Sequence, residues 1–173
     1  EMERKQEAGV ILRAMEPEDL DMLYHIENDR SLWNVASTNV PYSRYALHNY
    51  IADAKNDIYM DGQIRMMIEN LAHEVVGVID LVDFDPKHQR AELGIIIMKR
   101  FRRRGYAQAA ISSLIEYARK VLHLRQIYAV VSVSNEVSQR CLASLGFIGD
   151  SVLKEWIYCD GHYQDARVMQ FFV

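Results

Sequence analysis

Between Arg100 and Lys120 the chain reads RFRRRGYAQAAISSLIEYARK, a cluster of cations set directly before a glycine and an amphipathic run. The formal net charge is −4, so this concentration needs a local cause. Backbone amides in the first turn of a helix lack intrahelical acceptors and sit at the positive end of the helix dipole, which makes a helix start a site for phosphate. Gly105 lets the loop bend tightly and lets backbone approach an anion, and Ala107 keeps the next turn small. Arg102, Arg103 and Arg104 can add charge-assisted hydrogen bonds. Taken alone, an arginine run reads more readily as a solvated basic loop or a nucleic-acid patch. A second group that could do chemistry is Glu92, a carboxylate in the apolar run AELGIIIM, where an acid is out of place without a task or a partner.

The elements around these residues decide between the readings. Val10–Met15 has the pattern of a short strand, and EPEDLDMLYHIEND that of a helix with Leu20, Leu23 and Tyr24 at helical spacing behind early acids. Ser43 is placed to cap a second helix reaching about Asn56. IRMMIEN, VVGVIDLVDFD and AELGIIIM, separated by short polar turns, predict an antiparallel meander whose last strand is buried on both faces. Ala107, Ala110, Ile111, Leu114, Ile115 and Ala118 then form one helical stripe. A strand (IYAVVSV), a short helix stopped by Gly146 and two strands joined at CDGH complete the chain. The expected fold is α+β, with one domain over 10–173 and an extension at 1–9.

Bulk properties narrow the function classes. The 173 residues suit one buried unit. No run reaches the ~20 apolar residues of a membrane span, and EMERKQEAGV lacks a signal-peptide core, so a cytoplasmic location with no membrane partner is expected. Cys141 and Cys159 are too few for a disulfide framework, and the six histidines are scattered singly, so no metal is expected. The acidic balance and the lack of a second basic stripe argue against nucleic acid.

The order of the pieces is more specific than any one of them. Arg102, Gly105 and Ala107 match Q/R-x-x-G-x-G/A. Arg90–Ile95 (RAELGI), Asn135–Ser138 (N-x-x-S), Leu145–Phe147 (LGF) and Asp160–Asp165 (D-G-x-Y-x-D) follow in register. From Val10 onward the chain resembles the GNAT superfamily of acyl-CoA N-acetyltransferases, in the branch of spermidine acetyltransferases and ribosomal-protein N-terminal acetyltransferases. The resemblance implies a mixed, mainly antiparallel sheet with two splayed neighbours. Acetyl-CoA as cosubstrate would lie in the splay, with Ile96, Ile97 and Met98 offering backbone to pantetheine and an amide there steadying an oxyanion. The pyrophosphate would rest on Arg102, Arg103, Arg104, Gly105, Tyr106 and Ala107, and Asn135 would meet the pantetheine side; Asn135 also suits a plain helix cap.

The resemblance further places Glu92 as a base acting through water, or as a substrate contact, on an amine that arrives protonated with a pKa near ~10. A salt bridge within the sheet, to Arg90 or to a neighbour on the adjacent strand, is the alternative. The family's acid is a tyrosine at a position held here by Leu142, which cannot donate. Cys141, a tyrosine from elsewhere, or unassisted departure of a thiolate of pKa ~8.5 remain open. For the acceptor, the six acids Glu16, Glu18, Asp19, Asp21, Glu27 and Asp29 read either as a face that attracts a polycation or as the solvated side of a surface helix, and Trp33, Tyr42, Asp80 and Asp83 either as the lining of an acceptor cleft or as an aromatic loop and two acids near turns. The readings carried forward are an N-acetyltransferase of a small amine such as spermidine, one acting on a protein N-terminus, and a catalytically weak acyl-CoA-binding regulatory domain. Self-association is compatible with each.

Overall fold

In the computed structural model, which describes residues 9–32 and 40–173, the apolar runs become a seven-stranded sheet. Strands β1 (Val10–Ala14), β2 (Ile64–Asn70), β3 (Val75–Asp85) and β4 (Arg90–Ile97) make the antiparallel meander. With β5 (Gln126–Ser132), β6 (Ile148–Cys159) and β7 (His162–Phe172) the order is β1-β2-β3-β4-β5-β7-β6. The final hairpin turns at Asp160 (φ 50) and Gly161 (φ 82), a pair of left-handed residues that suits the twist of the flanking strands.

Helix α1 (Leu20–Glu27) and helix α2 (Arg44–Asp53) cover one face of the sheet. Ser43 caps α2 by accepting from the Ala46 amide at 3.0 Å, as its position predicts. The helix stops at Asp53, short of Asn56, because Ala54 turns extended (φ −62, ψ 119). A single-turn helix α3 (Ile58–Asp61) follows, too short to leave a periodic signal. On the opposite face lies α4 (Tyr106–Tyr117), continued by a π-helical turn over Ala118–Leu122, and beside it α5 (Glu136–Ser144).

Two apolar cores follow from this layering. Ala110, Ile111 and Leu114 of α4 and Ala118 of the π-helical turn pack on Ala91, Leu93, Ile127, Ala129 and Met169, while Leu23, Ile26 and Leu47 meet Met67 and Val78 on the other side. Each fully buried aliphatic side chain contributes about 2 kcal/mol relative to exposure. Along β4 the odd residues belong to the α4 face. Ile96 and Met98 pack into the α1/α2 face, and pleating puts Glu92 and Gly94 on that same side.

The sheet parts between β4 and β5. These strands run parallel, joined by the α4 crossover, but pair only over Arg90–Glu92 with Gln126–Tyr128. Beyond that point β4 stays with β3 as far as Ile97, and β5 stays with β7 as far as Ser132. A wedge opens toward the C-terminal ends of both strands, with Glu92 and Tyr128 as the last pair at its apex.

Candidate active site

One wall of the wedge is backbone. The Met98 amide donates to Val76 O at 2.9 Å, on the β3 side. The Ile96 carbonyl also leans toward β3, so far that a Cβ built on Gly77 would lie 2.1 Å from its oxygen. Strand alternation then turns the N–H and C=O of Ile95 and Ile97 the other way, into the wedge. This corrects part of the expected edge: Ile97 belongs to it, Ile96 and Met98 spend their backbone on β3, and Ile95 takes their place. The Ile97 carbonyl accepts from Arg102 Nε at 2.9 Å, which ties the basic loop to the strand it follows.

The loop has the conformation its composition demands. Gly105 is the residue before α4, left-handed at φ 82, and no side chain caps the helix. Gly105 O takes the Ala109 amide, so the amides of Tyr106, Ala107 and Gln108 lack intrahelical acceptors. Arg103 is left-handed as well (φ 63). Arg100 and Arg104 lie over the ring of buried Phe101, at 4.6 and 5.7 Å, with Tyr106 edge-on to the same ring. The arginines thus pack on an aromatic anchor around an open helix start. Asn135 caps α5, its side-chain oxygen accepting from the Ser138 amide at 3.2 Å. The turn before it is fastened by Gln139, which donates to Ser132 O and Val133 O.

At the apex, half-buried Glu92 forms no salt bridge with Arg, Lys or His among the described residues; Arg90 instead faces Asp85 at 3.5 Å. Burial pushes the Glu92 carboxyl above its ordinary value, and the charge of Asp83 and a hydrogen bond with it push the same way. Tyr128 completes the group: burial raises its phenol, helped by the charges of Glu92 and Asp83. In the sequence Tyr128 lies within the strand IYAVVSV and is not singled out. The usable signal was the alternation of β5, in which Gln126, Tyr128, Val130 and Ser132 are the half-buried positions between buried Ile127, Ala129 and Val131.

Other expected residues are placed differently. Asp80 accepts from Arg65 through both oxygens, at 2.7 and 3.0 Å, and Arg65 also reaches Glu27 and the ring of Tyr50. Its carboxylate is committed to an internal cation rather than open to a ligand's ammonium. The acidic face divides in the same way. Asp19 pairs with Arg13, Asp21 with Arg44 and Glu27 with Arg65, while Asp29 accepts from Ser31. Tyr42 is exposed, its backbone bonded to the Asn28 side chain. Trp33 lies outside the described residues. Cys141 is half-buried against the α4 core, and burial raises its thiol. Leu142 is buried in the same core. No helix of the described residues is long and apolar enough to cross a membrane.

A parted parallel pair, an uncapped helix start behind R-x-x-G-x-A and a carboxylate at the apex form the constellation implied by the resemblance. The family model for the acetyltransferase (GNAT) domain matches residues 10–148. The chain belongs to the GNAT acetyltransferases. Membership makes it an N-acetyltransferase that uses acetyl-CoA, and the wedge, edged by the N–H and C=O of Ile95 and the N–H of Ile97 and with an open α4 start, fits that cosubstrate. Spermidine N(1)-acetyltransferase of Escherichia coli is 28% identical over 164 residues, covering 95% of this chain and 86% of that protein. A solved structure of spermidine N-acetyltransferase from Vibrio cholerae in complex with CoA and spermine superposes with a TM-score of 0.84 at 26% identity, covering 94% of this chain and 95% of the other. A dodecameric structure of the Vibrio cholerae enzyme matches at 0.79 and 27% identity, covering 94% and 93%.

Proposed function

We propose that this GNAT enzyme acetylates a primary amine of a polyamine such as spermidine, by direct attack in a ternary complex with acetyl-CoA. The observation that carries the reading is the apex of the wedge, where a backbone edge suited to the thioester meets carboxylates suited to an ammonium. Likeness to named spermidine acetyltransferases over nearly the whole chain supports the acceptor class.

The coenzyme, when bound, supplies an activated thioester. Its diphosphate would rest on the amides of Tyr106, Ala107 and Gln108 with help from Arg102–Arg104, and its pantetheine would pair with Ile95 and Ile97. Of these two, the Ile95 N–H lies nearer Glu92, roughly 10 Å along the strand, and is the better placed donor for the carbonyl oxygen. Glu92 would take the ammonium proton through water, leaving the nitrogen pair free to attack. The departing thiolate has a pKa of about 8.5 and can leave without an acid from the Leu142 position. We infer also that the chain self-associates, as one relative does, which sedimentation velocity would read directly.

The test is acetyl transfer measured across spermidine, short diamines, amino sugars and peptide N-termini. Spermidine should give the highest kcat/KM. Turnover confined to peptide α-amines would move the chain to the N-terminal acetyltransferase reading, and coenzyme binding without any transfer would move it to a regulatory one.

A further inference from the structure

We infer that Asp83 and Glu92 work as one proton-accepting unit, in which Asp83, set on a bulge of β3, is a positioning residue that holds Glu92 as the base. The inference rests on the proposed amine acetylation and adds a second carboxylate to its machinery. The backbone carries it. Pairing of β3 with β4 runs regularly to Val82↔Glu92 and then slips by one residue before Asp85↔Arg90. In a regular pleat Asp83, next to Val82, would point to the face opposite Glu92. The extra residue and the left-handed backbone of Asp83 (φ 50) take it out of that alternation and turn its carboxyl toward Glu92, close enough for its charge to act there and for a hydrogen bond to join the two once one of them carries a proton. Aspartate tolerates this conformation better than most residues.

The charged and titratable groups around Glu92 are few. Asp83 approaches from β3 and Tyr128 from β5. Arg90, on the same strand, faces Asp85 at 3.5 Å, and both of these also act on Tyr128. A like charge and a shared hydrogen bond make a carboxylate hold a proton more tightly than it would alone. In the reaction an N–H bond of the acceptor's ammonium breaks and its electron pair stays on nitrogen. The proton, relayed by water, forms an O–H bond on Glu92 and is held against Asp83. The freed pair forms the new C–N bond; as the tetrahedral adduct collapses and the C–S bond breaks, the nitrogen gives up a second proton, which neutralises the departing thiolate, and the first passes from Glu92 to solvent.

The decisive experiment titrates the side-chain carboxyls of the full-length, 13C-labelled protein by NMR, as wild type, Asp83→Asn, Asp83→Glu and Glu92→Gln. Asparagine accepts left-handed backbone, so Asp83→Asn should keep the fold. In Asp83→Asn the Glu92 inflection should move to lower pH, and in Asp83→Glu it should stay raised. The rising limb of kcat/KM against pH should move the same way in Asp83→Asn, with kcat falling roughly fivefold and KM for the amine changing less. An unmoved Glu92 inflection would overturn the inference, as would a limb that stays in place while only KM for the amine rises. A wild type that acetylates no amine would sink the polyamine reading instead, and the titration would still decide the carboxyl pair.

Discussion

The two walls of the wedge are built from different materials. On the side proposed for the coenzyme the groups are peptide N–H and C=O: the Ile95 and Ile97 edge, and the open amides after Gly105. On the side proposed for the acceptor they are the side chains of Asp83 and Glu92, and a separate internal cluster joins Arg65 with Asp80 and Glu27. Backbone recognition depends on where glycines let the chain go. Side-chain recognition depends on which charge finds which partner. The first wall should therefore fail through steric substitutions, and the second through the loss or gain of single charges.

The largest effect is expected at Gly77. A Cβ there would sit 2.1 Å from the Ile96 carbonyl oxygen and 3.1 Å from Ile97 Cα, both backbone and unable to rotate away. Gly77→Val should cost about 3 kcal/mol or more, read as the urea midpoint, and should weaken coenzyme binding by calorimetry because the strand edge moves with the clash. Gly94→Ala is the matched control on the same pair of strands. Its Cβ would meet Asp80 at 3.5 Å, an ordinary contact, and the variant should lose less than about 1 kcal/mol.

Next is Glu92→Gln. Its kcat/KM should fall about 100-fold near neutral pH, the usual worth of a positioned base. The deficit should narrow as pH rises toward the amine pKa of about 10, because more acceptor then arrives neutral. The same residue sets a sign for stability. Its carboxyl is raised in the folded protein, so its contribution is full below the unfolded value and is lost as pH rises through the folded one. Glu92→Gln should therefore unfold with less pH dependence across that window. A pH-independent defect in rate would leave Glu92 as a contact rather than a base.

These outcomes bear on how much of the molecule a single sequence discloses. Gly105 and the stripe from Ala110 to Ala118 are local: one glycine, one period, one helix start, all within a few residues of each other. The meander was equally legible, because turns such as LAHE join neighbours in sequence that are neighbours in the sheet. What escaped was set at a distance or by parity. Asp80 is left between a cleft acid and an ordinary one in the sequence because its partner Arg65 lies a strand away, and nothing in either segment marks the pairing. Ile96 and Met98 were expected at the edge because hydrophobicity is blind to which way a peptide bond faces; the direction is set by Gly77 on the next strand. Tyr128 was hidden in an apolar strand, and it gains meaning only where β4 stops pairing with β5.

Asp80→Asn sharpens the division. If Asp80 held the substrate, the change would raise KM for the amine and leave stability alone. Its side chain is largely buried, and Arg65 lies beside it with two further partners, Glu27 and Tyr50. Burial works to lower the Arg65 pKa, yet the charge of and hydrogen bond to Asp80, with Tyr50 and Glu27, raise it above the usual arginine value. Taking one charge from this cluster should cost about 2 kcal/mol in denaturant unfolding, with KM for the amine changing less than about threefold. A large KM effect in a fully stable variant would return Asp80 to the acceptor site.

The smallest effect should come from Arg102→Ala. Arg102 is exposed, and its Nε bond to Ile97 O at 2.9 Å links loop to strand without entering either core. Global stability should change by less than about 0.5 kcal/mol, as for most surface substitutions. Coenzyme affinity should nonetheless fall about fivefold, since a charged donor near the diphosphate is lost and the loop is no longer held to β4. Arg102→Lys separates the two causes. It keeps the charge but lacks the planar fork that reaches the carbonyl, so a recovery of affinity in Arg102→Lys assigns the effect to charge, and no recovery assigns it to the tether. Either result is compatible with the amides after Gly105 as the proposed main anchor. A loss of 100-fold or more in Arg102→Ala would instead make the arginine itself the anchor, and the coenzyme wall would then be built of side chains as the acceptor wall is.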